Sequence, residues 1–73
     1  MHRSILEKLR NLVQQGDAEA FANELNLDPR RTRQWFDQGF TQEGYGAEVI
    51  RALGAIALMK ILTTMHDRGD AHG

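Results

Sequence analysis

Apolar residues recur at helical spacing in the first part of the chain. Positions that share one side of a helix there are Ile5, Leu6, Leu9, Leu12 and Val13. Ser4 and Glu7 have the spacing of a capping box, in which each side chain bonds the backbone amide of the other residue. Gly16 is a typical helix stop. The pattern predicts a first helix from Ile5 to Gln15.

Two short helices joined by a tight turn are predicted to follow. Asp17 and Asp28 are good N-cap residues, because a carboxylate accepts hydrogen bonds from the free amides of a first helical turn. Pro29 suits the first helical position, where its missing N–H costs nothing. Asn26 tolerates the left-handed backbone conformation that such a turn requires. The predicted helices cover Ala18 to Leu25 and Pro29 to Gln38.

A long apolar segment forms the C-terminal part of the chain. From about Ala47 to His66 apolar residues surround most of one predicted helix, which is typical of a helix buried on more than one side. This helix is either the central core of a monomer or the seam of a homodimer. Residues 67–73 are polar and are predicted to be a disordered tail. The sequence therefore predicts an all-α, four-helix domain over residues 1–66, with a helix-turn-helix unit over about 17–38.

Composition narrows the function classes. A chain of 73 residues is enough for one domain, and the absence of cysteine excludes disulfides and thiolate metal sites. The longest apolar stretch lies between Arg51 and Lys60 and is shorter than the roughly 18 residues that a membrane span needs. We expect a soluble, cytoplasmic protein without a membrane partner. Because no catalytic constellation is visible, we predict no enzyme activity, no cofactor and no metal site.

The segment 21–36 places a suitable residue at each demanding position of a helix-turn-helix. Ala22 is small where two helices must cross closely. Asn26 lies at the sharp turn, and Leu27 follows as an apolar plug. Trp35 is the apolar anchor of the second helix.

With these residues, the chain over 17–36 resembles the DNA-binding unit of small bacterial and phage transcription regulators of the repressor/Cro and CII type. Asn26 departs from the usual glycine, and Thr32 departs from the usual valine or isoleucine, which weakens a core contact. In such units the second helix lies in the major groove and its exposed N-terminal residues contact base edges. The resemblance implies nucleic-acid contacts by Pro29, Arg30, Arg31, Arg33 and Gln34.

These residue types suit the task. Arginine bonds bidentately to guanine, and glutamine to adenine. Arg31 and the first amides of the helix are suited to hold phosphates. Further backbone contacts are expected from Arg3, Lys8 and Arg10. The alternative for the arginine cluster is a solvated helix face that pairs with the neighbouring carboxylates of Glu24, Asp28 or Asp37.

The charge balance keeps a different function open. The net charge is −1, which is not the basic balance of a typical small nucleic-acid-binding domain, and the segment 17–27 is acidic. The alternative is a regulator that binds a protein of the transcription machinery, such as bacterial RNA polymerase or a sigma factor, and modulates or inhibits transcription without specific DNA recognition. The predicted protein interface comprises Phe40, Tyr45, Ile50, Ala57 and Ile61. A third interpretation is an assembly subunit held by the last helix.

Overall fold

A computed structural model describes the backbone of residues 2–72 and the side chains of residues 5–63. The described part is all-α, as the sequence predicted, and contains no strand. It has five helices rather than the predicted four. They are α1 (His2–Gln15), α2 (Ala18–Leu25), α3 (Pro29–Asp37), α4 (Tyr45–Leu53) and α5 (Ala55–His72). None of these helices combines the length and the apolar character that crossing a bilayer requires.

Helix α1 begins earlier than predicted. Its backbone is helical from His2 onward, so Ser4 lies inside the helix and not at its N-cap, and the predicted capping box is wrong. The helix ends as predicted at Gly16, which has a positive φ of 74°. The Asp17 amide donates to the Leu12 carbonyl at 2.9 Å across this end, as in a Schellman motif.

The N-caps and the turn between α2 and α3 confirm the sequence prediction. The Asp17 carboxylate accepts from the Ala20 amide at 3.1 Å, and the Asp28 carboxylate accepts from the Arg30 amide at 2.9 Å. Asn26 has the left-handed conformation, with φ 59° and ψ 43°. Three residues therefore suffice to end α2 and start α3. Helix α3 ends at Asp37, one residue before the predicted boundary.

Trp35 lies at the centre of the core. Its side chain is only 1% exposed, and its ring centroid is 5.1 Å from that of Phe40 and 6.0 Å from that of Phe21. The indole Nε1 donates to the carbonyl oxygen of Thr41 at 2.6 Å. Around this aromatic centre the fully buried aliphatic side chains are Leu9, Val49, Leu58 and Ile61. The burial of Trp35 therefore fixes the orientation of α3 on the core.

The predicted single helix from Ala47 to His66 is wrong. Gly54 interrupts it with φ 95° and ψ 143°, a conformation open to glycine but strained for other residues. The apolar residues that seemed to surround one helix therefore belong to two helices, each with its own buried side. Helix α5 then continues to His72. Its backbone includes residues 67–72, for which the sequence predicted a disordered tail, and Gly73 lies outside the described residues.

Candidate functional site

The candidate nucleic-acid contacts are split between two sides of α3. Arg30, Arg33 and Gln34 are exposed and lie at i, i+3 and i+4 spacing, which places them on one side of the helix. Thr32 and Trp35 are buried on the opposite side. Because the buried pair fixes the rotation of α3 about its axis, the other three side chains face solvent together.

These side chains border an open groove between α2 and α3. The groove measures about 420 Å³, and its lining also includes Pro29 from the first turn of α3 and Glu19 from the first turn of α2. Glu19 was not among the site residues predicted from the sequence. The only local signal was an acidic residue at a helix start, and its position beside the arginines depends on how α2 and α3 pack.

The groove carries both signs of charge. Among the described side chains, neither Arg30 nor Arg33 has a carboxylate close enough for an ion pair, and Glu19 has no cationic partner. Of the three carboxylates considered for the cluster, Glu24 pairs with Lys8, Asp28 caps α3, and Asp37 forms no ion pair with a described side chain. The structure therefore shows no internal ion pair for Arg30 or Arg33 among the described side chains.

Arg31 points to the other side of α3, toward α4. Its Nη2 lies 2.7 Å from Oε2 of Glu48, and its guanidinium carbon lies 4.6 Å from the centroid of the Tyr45 ring. The Tyr45 hydroxyl is 2.8 Å from Oγ1 of Thr32 and donates to the Asp28 carbonyl at 3.3 Å. The predicted phosphate contact Arg31 thus holds α3 against α4. Threonine is therefore tolerated at position 32 in place of the usual valine or isoleucine, because its buried hydroxyl is within hydrogen-bond distance of the Tyr45 hydroxyl.

The basic residues of α1 have differing environments. Lys8, predicted to contact the DNA backbone, forms a 2.7 Å ion pair with Glu24 and so links α1 to α2. Arg10 is exposed on α1. The side chain of Arg3 lies outside the described residues. The structure does not bring Lys8 or Arg10 into the lining of the groove on α3.

The predicted protein interface is largely covered by the fold. Ile61 is fully buried, so its assignment to an interface is wrong. Phe40 and Tyr45 are half-buried because their rings pack against Trp35. Ile50 and Ala57 are also half-buried. The large apolar side chains that the described part exposes are instead Ile5, Ile56 and Met59.

A metal centre finds no support in the described part, where no three histidine or acidic side chains come together.

The chain matches no protein-family model, no curated protein and no solved structure.

Proposed function

We propose that this protein is a cytoplasmic transcription regulator that binds duplex DNA through α3. The observation that carries the proposal is the exposed set Arg30, Arg33 and Gln34 on the solvent side of a helix anchored by Trp35. Two of these side chains are guanidiniums without a carboxylate partner among the described residues. Arginine and glutamine are the side chains that bond bidentately to guanine and adenine in the major groove.

The local architecture supports the same function. Helix α3 follows α2 after a three-residue turn, and residues 29–31 at its N-terminus are exposed. In helix-turn-helix proteins the N-terminal part of the second helix contacts base edges. Asp28 holds the start of α3 as its N-cap, and Arg31 holds it against α4 through the ion pair with Glu48. The backbone of a helix fixed in this way loses little conformational entropy when it binds.

The charges predict that only a few contacts to DNA phosphates contribute to binding. Lys8 and Arg31 already pair with carboxylates, which leaves few cations for phosphates. Each phosphate contact contributes about −0.9 to the slope of log affinity against log salt, so two to four contacts give roughly −2 to −4. We therefore expect micromolar affinity for random DNA at low salt and an affinity loss of roughly 15- to 250-fold for a fourfold rise in salt.

The proposal includes a homodimer formed through the C-terminal helix. Two-fold proteins of this kind place two recognition helices in half-sites about one helical turn apart. Helix α5 packs mainly on α1 and α4, and it exposes Ile56 and Met59. A second copy on that side would therefore leave the groove on α3 accessible.

The same exposed apolar side chains favour a second candidate function. Ile56 is 76% exposed, and beside it a shallow groove of about 500 Å³ runs between α1 and the junction of α4 and α5. Exposed apolar surface of this kind is typical of protein-binding sites. The second candidate is a regulator that binds a protein of the transcription machinery, such as RNA polymerase or a sigma factor, without specific DNA recognition.

Fluorescence anisotropy separates the two candidates. A labelled random-sequence duplex is titrated with the protein at low and at moderate salt. We expect binding that weakens with salt and is lost in the double variant Arg30→Ala/Arg33→Ala. Arg51→Ala removes the same kind of charge from the exposed side of α4, outside the groove, and serves as the matched control.

Two results would contradict DNA binding through α3. The first is no binding by the unaltered protein at low salt. The second is an equal loss of affinity in Arg51→Ala, which would indicate attraction without a defined surface. In either case purified RNA polymerase and sigma factor are the next ligands, with Ile56→Asp as the variant expected to lose binding.

A further inference from the structure

The groove on α3 offers a hydrogen-bonding pattern that a phosphate backbone cannot satisfy. Arg30 and Arg33 supply donors, whereas the Glu19 carboxylate supplies only acceptors. Phosphate oxygens would attract the arginines and repel Glu19. A ligand that satisfies all three side chains must present acceptors and a donor close together.

The major-groove edge of a G·C pair has this combination. Guanine O6 and N7 accept hydrogen bonds from arginine, and the cytosine N4 amino group donates to a carboxylate. We infer that Glu19 is a specificity-determining residue that accepts a hydrogen bond from cytosine N4 while Arg30 or Arg33 binds guanine. This inference rests on the proposed DNA-binding function and adds to it the class of base pair that is recognised.

The fold holds Glu19 in a fixed place relative to the arginines. It is the second residue of α2, where the helix dipole favours a carboxylate. Its neighbours Ala18, Phe21 and Ala22 are buried against the core, so the first turn of α2 is anchored. The Glu19 side chain itself is exposed and borders the groove.

A carboxylate at this position also disfavours incorrect sites. With guanine or thymine at that position, Glu19 would face a base acceptor and lose its hydration without gaining a donor. Specific proteins commonly combine such a repulsive element with attractive contacts. The near-neutral net charge of the chain fits a protein whose general attraction to DNA is small.

The test is selection from a randomised duplex pool with the unaltered protein, Glu19→Gln and Glu19→Ala. We expect the unaltered protein to enrich sites that have a G·C pair at one defined position, with the cytosine on one defined strand. Both variants should lose the preference for that cytosine by roughly 5- to 150-fold, the discrimination typical of one good base contact. Preferences at the other positions should persist. Glu43→Gln, which removes the same charge from the exposed loop before α4, is the matched control.

The outcomes separate this inference from the proposed function. Sequence-specific binding that both variants retain unchanged, or that they strengthen equally on every sequence, overturns the role of Glu19 and leaves DNA binding intact. Absence of DNA binding by the unaltered protein overturns both. Because Glu19 is exposed, the variants should melt cooperatively and only slightly below the unaltered protein, by the small contribution of the helix dipole, and such curves exclude loss of fold as the cause.

Discussion

Gly46 in the first turn of α4 is the position where the structure predicts the largest effect of a single added methyl group. A Cβ at Gly46 would overlap the carbonyl oxygen of Thr41 and lie 2.8 Å from its carbonyl carbon. It would also lie 3.0 Å from Nε1 of Trp35, which donates to that same carbonyl oxygen. Gly46→Ala must therefore displace the Thr41 backbone and break the indole hydrogen bond.

The expected cost follows from these two contacts. Leaving a buried donor unsatisfied costs about 1–3 kcal/mol, and overpacking a core costs about 1–3 kcal/mol. Together they predict that Gly46→Ala loses about 2–6 kcal/mol. A 73-residue domain has a total stability of roughly 4–11 kcal/mol. At about 4–8 °C per kcal/mol, the melting temperature should fall by at least about 8 °C.

Urea unfolding followed by fluorescence measures this loss directly, because Trp35 is the single tryptophan and is almost fully buried. Gly16→Ala is the matched control. Gly16 also has a positive φ, but an added Cβ there has no atom within 4 Å. The control should lose only the strain of a left-handed alanine, about 1–2 kcal/mol. A Gly46→Ala variant as stable as the Gly16→Ala variant would refute the packing described around Trp35.

Three further substitutions test other parts of the structure. Arg31→Met breaks the ion pair with Glu48, and because both side chains are half exposed, the free energy of unfolding should fall by at most about 1 kcal/mol. The slope of log DNA affinity against log salt should stay unchanged. A slope smaller by about 1 would make Arg31 a phosphate contact. Asp28→Ala removes the N-cap of α3 and should cost about 1 kcal/mol, measured by thermal circular dichroism, whereas an unchanged melting temperature would show that the cap contributes nothing. Gly54→Ala should cost about 1–3 kcal/mol in urea unfolding; a gain in stability would mean that α4 and α5 can join into one helix.

The sequence was sufficient for α2 and α3 because their signals are local. Asp17 and Asp28 each bond an amide two or three residues away, and Asn26 adopts its conformation within the turn. No distant contact is needed for any of these features. Cap and turn residues therefore located both helices to within one residue.

The break at Gly54 was not predictable in the same way. A single glycine within an apolar helical pattern is compatible with a continuous helix. What decides against continuity is that Val49 on α4 and Ile61 on α5 are both buried in one core. Gly54 has the backbone conformation at which α4 ends before α5 begins, and both side chains belong to the same core cluster.

In the candidate site too, local features were predictable from the sequence and contacts between helices were not. The exposed positions Arg30, Arg33 and Gln34 followed from helical periodicity once α3 was placed. The partner of Arg31 did not, since Glu48 is 17 residues away and belongs to a different helix. The position of Glu19 in the groove likewise depends on the packing of α2 against α3. Pairings between helices require the tertiary structure.

The most direct test of DNA binding through α3 is a map of amide chemical shifts in the ¹⁵N-labelled protein during titration with duplex DNA at low salt. We predict that the largest shifts fall on residues 30–34 and at Glu19, and that amides around Ile56 remain unchanged. Shifts confined to the surface around Ile56, or no shifts at any DNA concentration, would contradict the assignment of α3 as the nucleic-acid contact.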